Sequence, residues 1–145
     1  MSKVVLFDSS LRDGAQAEGI TFSVEDKIKI LRSLDALGID YVEAGNPTSN
    51  PKDLEFFERA CGLRLEHAKL VAFGSTCHKE SAPQEDTYVN ALLAAQTPAV
   101  AIFGKSWDFH VTDIIRTSLD ENLRMIRETV QYVVSRNREV IFDAE

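Results

Sequence analysis

The stretch SVEDKIKILRSLDALGIDYV, residues 23–42, combines the signals of a complete helix with those of the strand that follows it. Ser23 can cap the amino terminus of the helix, and two acidic residues follow in the electropositive first turn. Gly38 can adopt the left-handed conformation that ends a helix, and the apolar run 39–42 then predicts a strand. Apolar side chains recur in the helix at three- and four-residue intervals, at Val24, Ile28, Leu31, Leu34 and Leu37.

The same alternation of helix and strand extends over the whole chain. A second helix is predicted from the cap Asn50-Pro51 to Gly62, and a third over about 84–95. A fourth helix is predicted to begin at Ser118. Ser118 and Glu121 have the spacing of a capping box. Besides 39–42, short apolar runs predict strands at 4–7, 70–73, 99–103 and 140–142.

The apolar spacing of these helices also predicts which faces they bury. The second helix is expected to bury Leu54, Phe57 and Cys61. The fourth is expected to bury a stripe made of Leu119, Leu123, Ile126, Val130 and Val133.

The order of elements predicts an α/β protein with parallel strands and right-handed crossovers. Its strands are continuously apolar, as expected when both faces of a sheet are covered. Two closures fit this order: an open doubly wound sheet, and a (β/α)8 barrel of about 250 residues. No G-x-G-x-x-G motif opens the first helix, which argues against an open sheet that binds a dinucleotide.

The chain ends just after its fifth predicted strand, with no helix to cover it. We therefore expect residues 1–145 to be the N-terminal portion of a TIM barrel, comprising about the first four βα units plus strand five. Later strands, and any C-terminal regulatory domain, would lie outside this sequence. The alternative is that the last strand is simply the edge of a sheet.

Composition narrows the classes of function. The chain has 16 basic and 23 acidic side chains, a formal charge of −7, which gives no electrostatic footprint for nucleic acid or an anionic membrane. Its apolar runs are too short to span a bilayer, and its first residues lack the regions of a signal peptide. Cys61 and Cys77 form no C-x-x-C pair, so we expect a reduced, cytoplasmic compartment.

Polar residues follow the predicted strands, at the end where parallel α/β folds carry their chemistry. Carboxylates that recur beside an arginine are suited to a hard divalent cation and an anionic substrate. The densest group is LRDGAQ, residues 11–16; the plainer alternative for this group is a tight turn in which Arg12 merely pairs with Asp8 or Asp13. The candidate strand-end residues are Asp8, Arg12, Asp13, Gln16, Glu43, Asn46, Ser75, Thr76, His78, Lys105, Ser106, Asp108, Asp143 and Glu145.

LRDGAQ, followed by Glu18-Gly-Ile and the Ser-Val-Glu-Asp-Lys helix start, resembles the acyl-CoA-condensing branch of the DRE-TIM metallolyases. That branch holds 2-isopropylmalate, homocitrate and citramalate synthases, and the sequence is most similar to the (R)-citramalate synthase type. Hydroxymethylglutaryl-CoA lyase and aldolases are cousins. The similarity continues through GIDYVEAG (38–45), SNPKD (49–53), VAFGS (71–75), GKSWD (104–108) and ENLRMI (121–126).

The resemblance implies a metal-dependent, Claisen-type condensation of acetyl-CoA with an α-keto acid of the pyruvate or 2-ketoisovalerate class, in isoleucine or leucine biosynthesis. It implies that Asp13 binds a divalent metal of the Mg, Mn or Zn class. Arg12 would be catalytic, and Glu145 would take part in proton transfer. The implied substrate-binding residues are Arg12, Gln16, Glu43, Ser75 and Lys105.

The sequence departs from the family pattern most clearly in having no His-x-His pair to complete a metal site. His67, His78 and His110 are far apart in the sequence, and His78 is expected to be an ordinary loop histidine. We therefore expect the isolated chain to bind a divalent ion weakly and to be inactive, and to self-associate, for example as a homodimer, through exposed strand edges. The alternatives are a lyase or aldolase cousin and a non-catalytic half-barrel that only associates.

Overall fold

The computed structural model describes residues 4–145, so Met1, Ser2 and Lys3, on which the signal-peptide prediction partly rests, lie outside the described residues. The strands are β1 Phe7–Asp8, β2 Tyr41–Glu43, β3 Lys69–Ser75, β4 Ala99–Gly104 and β5 Glu139–Ala144. The helices are α1 Val24–Leu37, α2 Pro51–Ala60, α3 Thr87–Ala94 and α4 Leu119–Ser135. A 3-10 turn, Gly14–Gln16, and a π-helical turn, His110–Ile114, interrupt two of the connections.

The five strands form one parallel sheet in the order β1-β2-β3-β4-β5. In a doubly wound sheet the strand order reverses at a switch point, whereas here every crossover moves to the next position in the same direction. Right-handed crossovers of this kind put all the helices on one side of the sheet. The fold is therefore a curled half-barrel, and the predicted α/β class with parallel strands is confirmed.

The local signals at the helix ends are confirmed. Ser23 and Asp26 form a capping box at the start of α1, and Gly38 ends that helix with φ of 85°. Asn50 caps α2 by accepting the Asp53 N–H. These features are confirmed because each depends on residues within a few positions of one another.

The predicted capping box of α4 is only half formed. Ser118 accepts the Glu121 N–H, but the Glu121 carboxylate accepts the Glu80 N–H and is paired with Arg124 instead. These bonds lower the pKa of Glu121 to about 2. The Glu121 carboxylate thus joins α4 to the loop after β3 rather than to its own N-cap.

Two of the predicted helix faces are wrong in part: Phe57 and Val133 are buried as predicted, but other predicted residues are not. In α2, Leu54 is 43% exposed and Cys61 is exposed, while Phe56 and Phe57 are buried. In α4, Leu119 and Leu123 are more than half exposed. The residues of α4 that are buried are Asn122, Met125, Thr129 and Val133, because the sheet contacts a face that carries polar as well as apolar side chains.

The first strand is also shorter than predicted. The run 4–7 predicted a strand, but only Phe7–Asp8 pairs with β2, and residues 4–7 are all exposed. As an edge strand, β1 has a neighbour on one side only, which leaves its apolar side chains without a second contact surface.

The sheet has two different faces. Its convex face packs against the helices. A Cβ added at Gly74 would lie about 3 Å from Leu92, and one added at Gly104 would lie about 3 Å from Ile126 and Phe142. Its concave face carries a smaller apolar cluster composed of Val71, Phe73, Ala99 and Ala101, with Tyr41, Phe103 and Ile141 packed against it. Among residues 4–145, no helix is long and apolar enough to cross a membrane.

Phe57 and Leu54 provide a direct test of the face that α2 buries. Phe57→Ala should lower the free energy of unfolding by about 3–5 kcal/mol, because it removes a buried ring and leaves a cavity. Leu54→Ala, on the exposed face of the same helix, should change it by less than about 1 kcal/mol. Urea unfolding measures both values, and equal losses would contradict the observed orientation of α2.

Candidate active site at the carboxyl ends of the strands

The loop after β1 is folded as a turn that aims Arg12 at the open end of the sheet. The Ser9 carbonyl accepts the N–H groups of Arg12 (3.1 Å) and Asp13 (2.8 Å), and the Leu11 side chain is fully buried. Asp8 accepts hydrogen bonds from the backbone and side chain of Ser10. These bonds occupy Asp8 within its own turn, so pairing of Arg12 with Asp8 does not explain the motif.

The partner of Arg12 is a carboxylate on the neighbouring strand. Arg12 Nε donates to Glu43 Oε2 at 2.6 Å, and its guanidinium lies 4.0 Å above the ring of Phe73. The contact between Arg12 Nη1 and Asp13 Oδ1 is looser, at 3.6 Å. The structure therefore brings together two predicted site residues, Arg12 and Glu43, that lie 31 positions apart in the sequence.

Glu43 is almost completely buried, at 2% exposure, where β2 ends. Burial raises its pKa; the hydrogen bond from Arg12 and the charge of Arg12 act in the opposite direction, and the negative charges of Asp143 and Asp13 raise it further. The Arg12 guanidinium thus faces a carboxyl group whose proton affinity is increased.

Asp143 was among the predicted strand-end residues, but the sequence assigned it no role at the site. It was recognised only as one polar residue at the end of a strand, yet its charge is close enough to Glu43 to raise the pKa of that carboxyl. Strand alternation is the signal that could have identified Asp143. Ile141, two residues earlier on β5, belongs to the concave face, and so does Phe103, which pairs with Asp143 in the register of β4 and β5. Asp143 should therefore lie on the same face.

A cleft of about 660 Å³ opens beside Arg12, between the loop after β1 and the loop after β2. Its volume is in the range of small-molecule sites. Gln16 lines it, as the resemblance implied. The other polar lining residues are Thr21, Lys27, Asn46, Ser49, Asn50, Lys52 and Asp53. Leu11, Phe22 and Phe73 are among the apolar ones.

The remaining predicted residues lie around a second, smaller hollow. Ser75 and Lys105 line this space of about 290 Å³, and Lys105 Nζ is 2.7 Å from Glu145 Oε2. Phe73, which lines the cleft, stacks on Phe103, which lines the hollow, with ring centroids 5.2 Å apart. The predicted site residues are thus divided between the cleft and the hollow, which are joined by the Phe73–Phe103 pair.

The described residues do not form a metal centre by themselves. Asp13 is exposed and could supply one oxygen ligand. Within residues 4–145, however, no group of three or more His, Cys, Asp or Glu side chains is arranged to hold an ion. The donor set present therefore does not fit a divalent metal without ligands from elsewhere.

His78, His110 and Cys77 are packed against or bound to neighbouring side chains. His78 Nδ1 is 2.7 Å from the buried carboxylate of Asp86, which also caps α3, so His78 is held in its loop. His110 packs beside Trp107. Cys77 is buried, and burial raises the pKa of its thiol, which makes it a poor nucleophile.

Comparison with known proteins places this arrangement in a family. The model of the HMGL-like family matches residues 3–145. The chain is 54% identical to an (R)-citramalate synthase of Aquifex aeolicus over 143 residues, 99% of this chain and 27% of that protein. It is 47% identical to the (R)-citramalate synthase of Sulfolobus acidocaldarius, over 98% of this chain and 27% of that protein.

A more distant relative has a similar sequence, and a solved structure has the same fold. A 2-isopropylmalate synthase of Listeria welshimeri is 34% identical over 91% of this chain and 25% of its own length. The crystal structure of hydroxymethylglutaryl-CoA lyase from Pseudomonas aeruginosa shares the fold with a TM-score of 0.71 at 24% identity, covering 97% of this chain and 45% of that chain. The chain spans about a quarter of the length of the curated relatives it matches.

Glu43→Gln should stabilise the protein at neutral pH. A raised pKa means that folding favours the protonated carboxyl, so this stabilisation is complete below the ordinary value of 4.5 and is lost as the pH rises through the folded-state value. Glutamine stays neutral, so its advantage should be small in acid and largest at neutral pH. Arg12 remains partly exposed and close to Asp13, so it keeps a counter-charge. Urea unfolding at several pH values measures the difference.

Glu139→Gln is the matched control with the opposite sign. Lys69, through its hydrogen bond, lowers the pKa of Glu139, so this carboxylate stabilises the fold above its ordinary pKa. Its glutamine variant should be less stable at neutral pH and should approach the unsubstituted protein in acid. The same sign for both variants would contradict the opposite environments of the two carboxylates.

Proposed function

This chain belongs to the HMGL-like family, and we propose on that premise that it is the amino-terminal part of a barrel enzyme that condenses acetyl-CoA with an α-keto acid. The names of its relatives support the acyl-CoA-dependent class, since they are (R)-citramalate synthases at 54% and 47% identity and a 2-isopropylmalate synthase at 34%. The higher identity favours the citramalate type, and we propose pyruvate as the keto acid. The rest of the barrel would be supplied by sequence beyond residue 145.

The observation that carries the proposal is the Arg12–Glu43 pair at the edge of the cleft. Because Nε is bound to Glu43, the guanidinium has a fixed orientation. Within residues 4–145 the outer nitrogen Nη1 makes a loose contact with Asp13, at 3.6 Å, so this side of the guanidinium remains suited to a carboxylate or a polarised carbonyl. A planar cation held in this way is preorganised for negative charge that develops on a carbonyl oxygen.

Removal of a methyl proton from acetyl-CoA gives a carbanion, which attacks the carbonyl carbon of the keto acid. The C–C bond forms as the carbonyl π pair moves onto oxygen, where Arg12 stabilises the alkoxide until it is protonated. Hydrolysis of the thioester by water then releases CoA. Glu145, tied to Lys105, is proposed to take part in the proton transfers.

We assign substrate binding to both spaces at the strand ends. The keto acid would lie at Arg12 and Gln16 in the larger cleft, with Glu43 behind Arg12. Ser75 and Lys105 would contact substrate from the smaller hollow. Asp13 would contribute one ligand to a divalent ion, and the other ligands would come from outside this chain.

Arg12→Lys in the full-length protein tests the proposal. The change should lower turnover by roughly 10²- to 10³-fold, because lysine keeps the charge but not the planar set of donors. Release of CoA from acetyl-CoA and pyruvate, with magnesium or manganese present, measures turnover. The 145-residue chain alone should give none.

Arg59→Lys is the control, since Arg59 pairs with Glu25 on the exposed side of α1 and α2. It should leave turnover unchanged. Full activity of Arg12→Lys would contradict the role of Arg12, and robust turnover by the 145-residue chain would contradict its proposed incompleteness.

Self-association of the chain is also expected. Apolar side chains remain exposed at both edges of the sheet, with Val4 at 77% and Val5 at 54% beside β1 and Phe142 at 39% on β5. Leu119 and Leu123 add exposed apolar side chains on α4. Sedimentation should show a dimer or larger species, and Leu123→Glu should shift it towards monomer. A clean monomer at high concentration would refute this expectation.

A further inference from the structure

We propose that Lys27 and Asp53 are positioning residues that hold the loop after β2 and, through it, the Arg12–Glu43 pair. Lys27 Nζ lies 2.6 Å from Asp53 Oδ1, and it also donates to the Ala44 carbonyl at 2.8 Å. Both side chains are buried, with 5% and 11% exposure, at the junction of α1 and α2. The inference rests on the proposed function only in treating Arg12 and Glu43 as the working pair.

The Asp53 carboxylate organises the loop of residues 44–50. Its Oδ2 accepts the Asn46 N–H at 3.2 Å and the Ser49 hydroxyl at 3.4 Å, while Oδ1 is bound by Lys27. The backbone N–H of Asp53 donates to Asn50 Oδ1. One buried carboxylate therefore fixes the loop at several points.

Gly45 shows how closely the loop is fitted to this carboxylate. Its φ is 142°, a region that favours glycine, and an added Cβ would lie 2.5 Å from Asp53 Oδ2. Its carbonyl accepts the Phe73 N–H at 2.9 Å. The loop thus connects Asp53 directly to the residue whose ring lies under Arg12.

The connection to Glu43 is equally short. Ala44, whose carbonyl Lys27 binds, directly follows Glu43, and its N–H donates to the Val71 carbonyl on β3. A shift of the loop would move Glu43 and Phe73 together. These are the two groups that orient the Arg12 guanidinium.

A purely stabilising role explains this arrangement less well. Burial of an ion pair removes two charges from water, and apolar replacement of such pairs often leaves stability unchanged or improved. The helices α1 and α2 have a second ion pair, Arg59 with Glu25, which is exposed. Lys27 and Asp53 differ in that their hydrogen bonds go to the loop, and both line the cleft.

The test compares the stability of the fold with the geometry of Arg12 in the 145-residue chain. The Nε–Hε resonance of Arg12, assigned by its disappearance in Arg12→Lys, reports the hydrogen bond to Glu43. In the double variant Lys27→Met, Asp53→Asn, both charges are removed and side-chain volumes are kept. We expect this resonance to shift towards that of a solvent-exposed arginine, while urea unfolding shows most of the stability retained.

Glu25→Gln is the matched control, because it breaks the other ion pair between the same helices and should leave the Arg12 resonance in place. Asp53→Glu is the second test if the double variant does not fold, because it keeps a carboxylate as the counter-charge of the buried Lys27. Its longer side chain displaces the oxygen that accepts hydrogen bonds from the loop. An unchanged Arg12 resonance in the folded variant would overturn the proposal. Because no turnover is measured, inactivity of the full-length protein would refute the proposed function without affecting this result.

Discussion

The hydrogen bond from Arg12 to Glu43 joins the loop after β1 to the end of β2, and the carboxyl end of the sheet is arranged around it. Glu43 is buried, Phe73 supports the guanidinium from below, and the loop that Asp53 organises follows directly. A buried carboxylate without a cation would be costly, so the two residues depend on each other. Their mutual dependence fixes a charged group at the edge of a cleft.

This arrangement does not favour stability alone. Burial raises the pKa of Glu43 although Arg12 lies beside it, so desolvation outweighs the attraction between the two groups. A fold selected only for stability would replace such a carboxyl with an uncharged side chain. Retention of a destabilised charge beside a cleft is typical of sites where chemistry, rather than stability, determines the residue.

At the opposite end of the concave face, a carboxylate has the opposite environment to that of Glu43. Tyr41, Lys69 and Glu139 lie at the beginnings of their strands and bind one another. Lys69 lowers the pKa of Glu139, and this carboxylate therefore stabilises the fold when ionised. In parallel α/β barrels the amino-terminal end serves stability and the carboxyl-terminal end serves chemistry. The ion pair of Glu139 and the role proposed for Glu43 agree with that division.

Sequence alone determined the alternation of strands and helices, the caps at Ser23, Gly38 and Asn50, and the presence of Arg12 and Asp13 after the first strand. These features depend on backbone geometry and on hydrogen bonds between residues close in the chain. Tertiary structure alone decided that α4 buries Asn122 and Thr129 rather than Leu119 and Leu123, that Glu43 is the partner of Arg12, and that Asp143 acts on Glu43. The physical reason is that burial and charge pairing depend on which surfaces meet across the sheet, and residues 31 positions apart carry no local signal of that meeting.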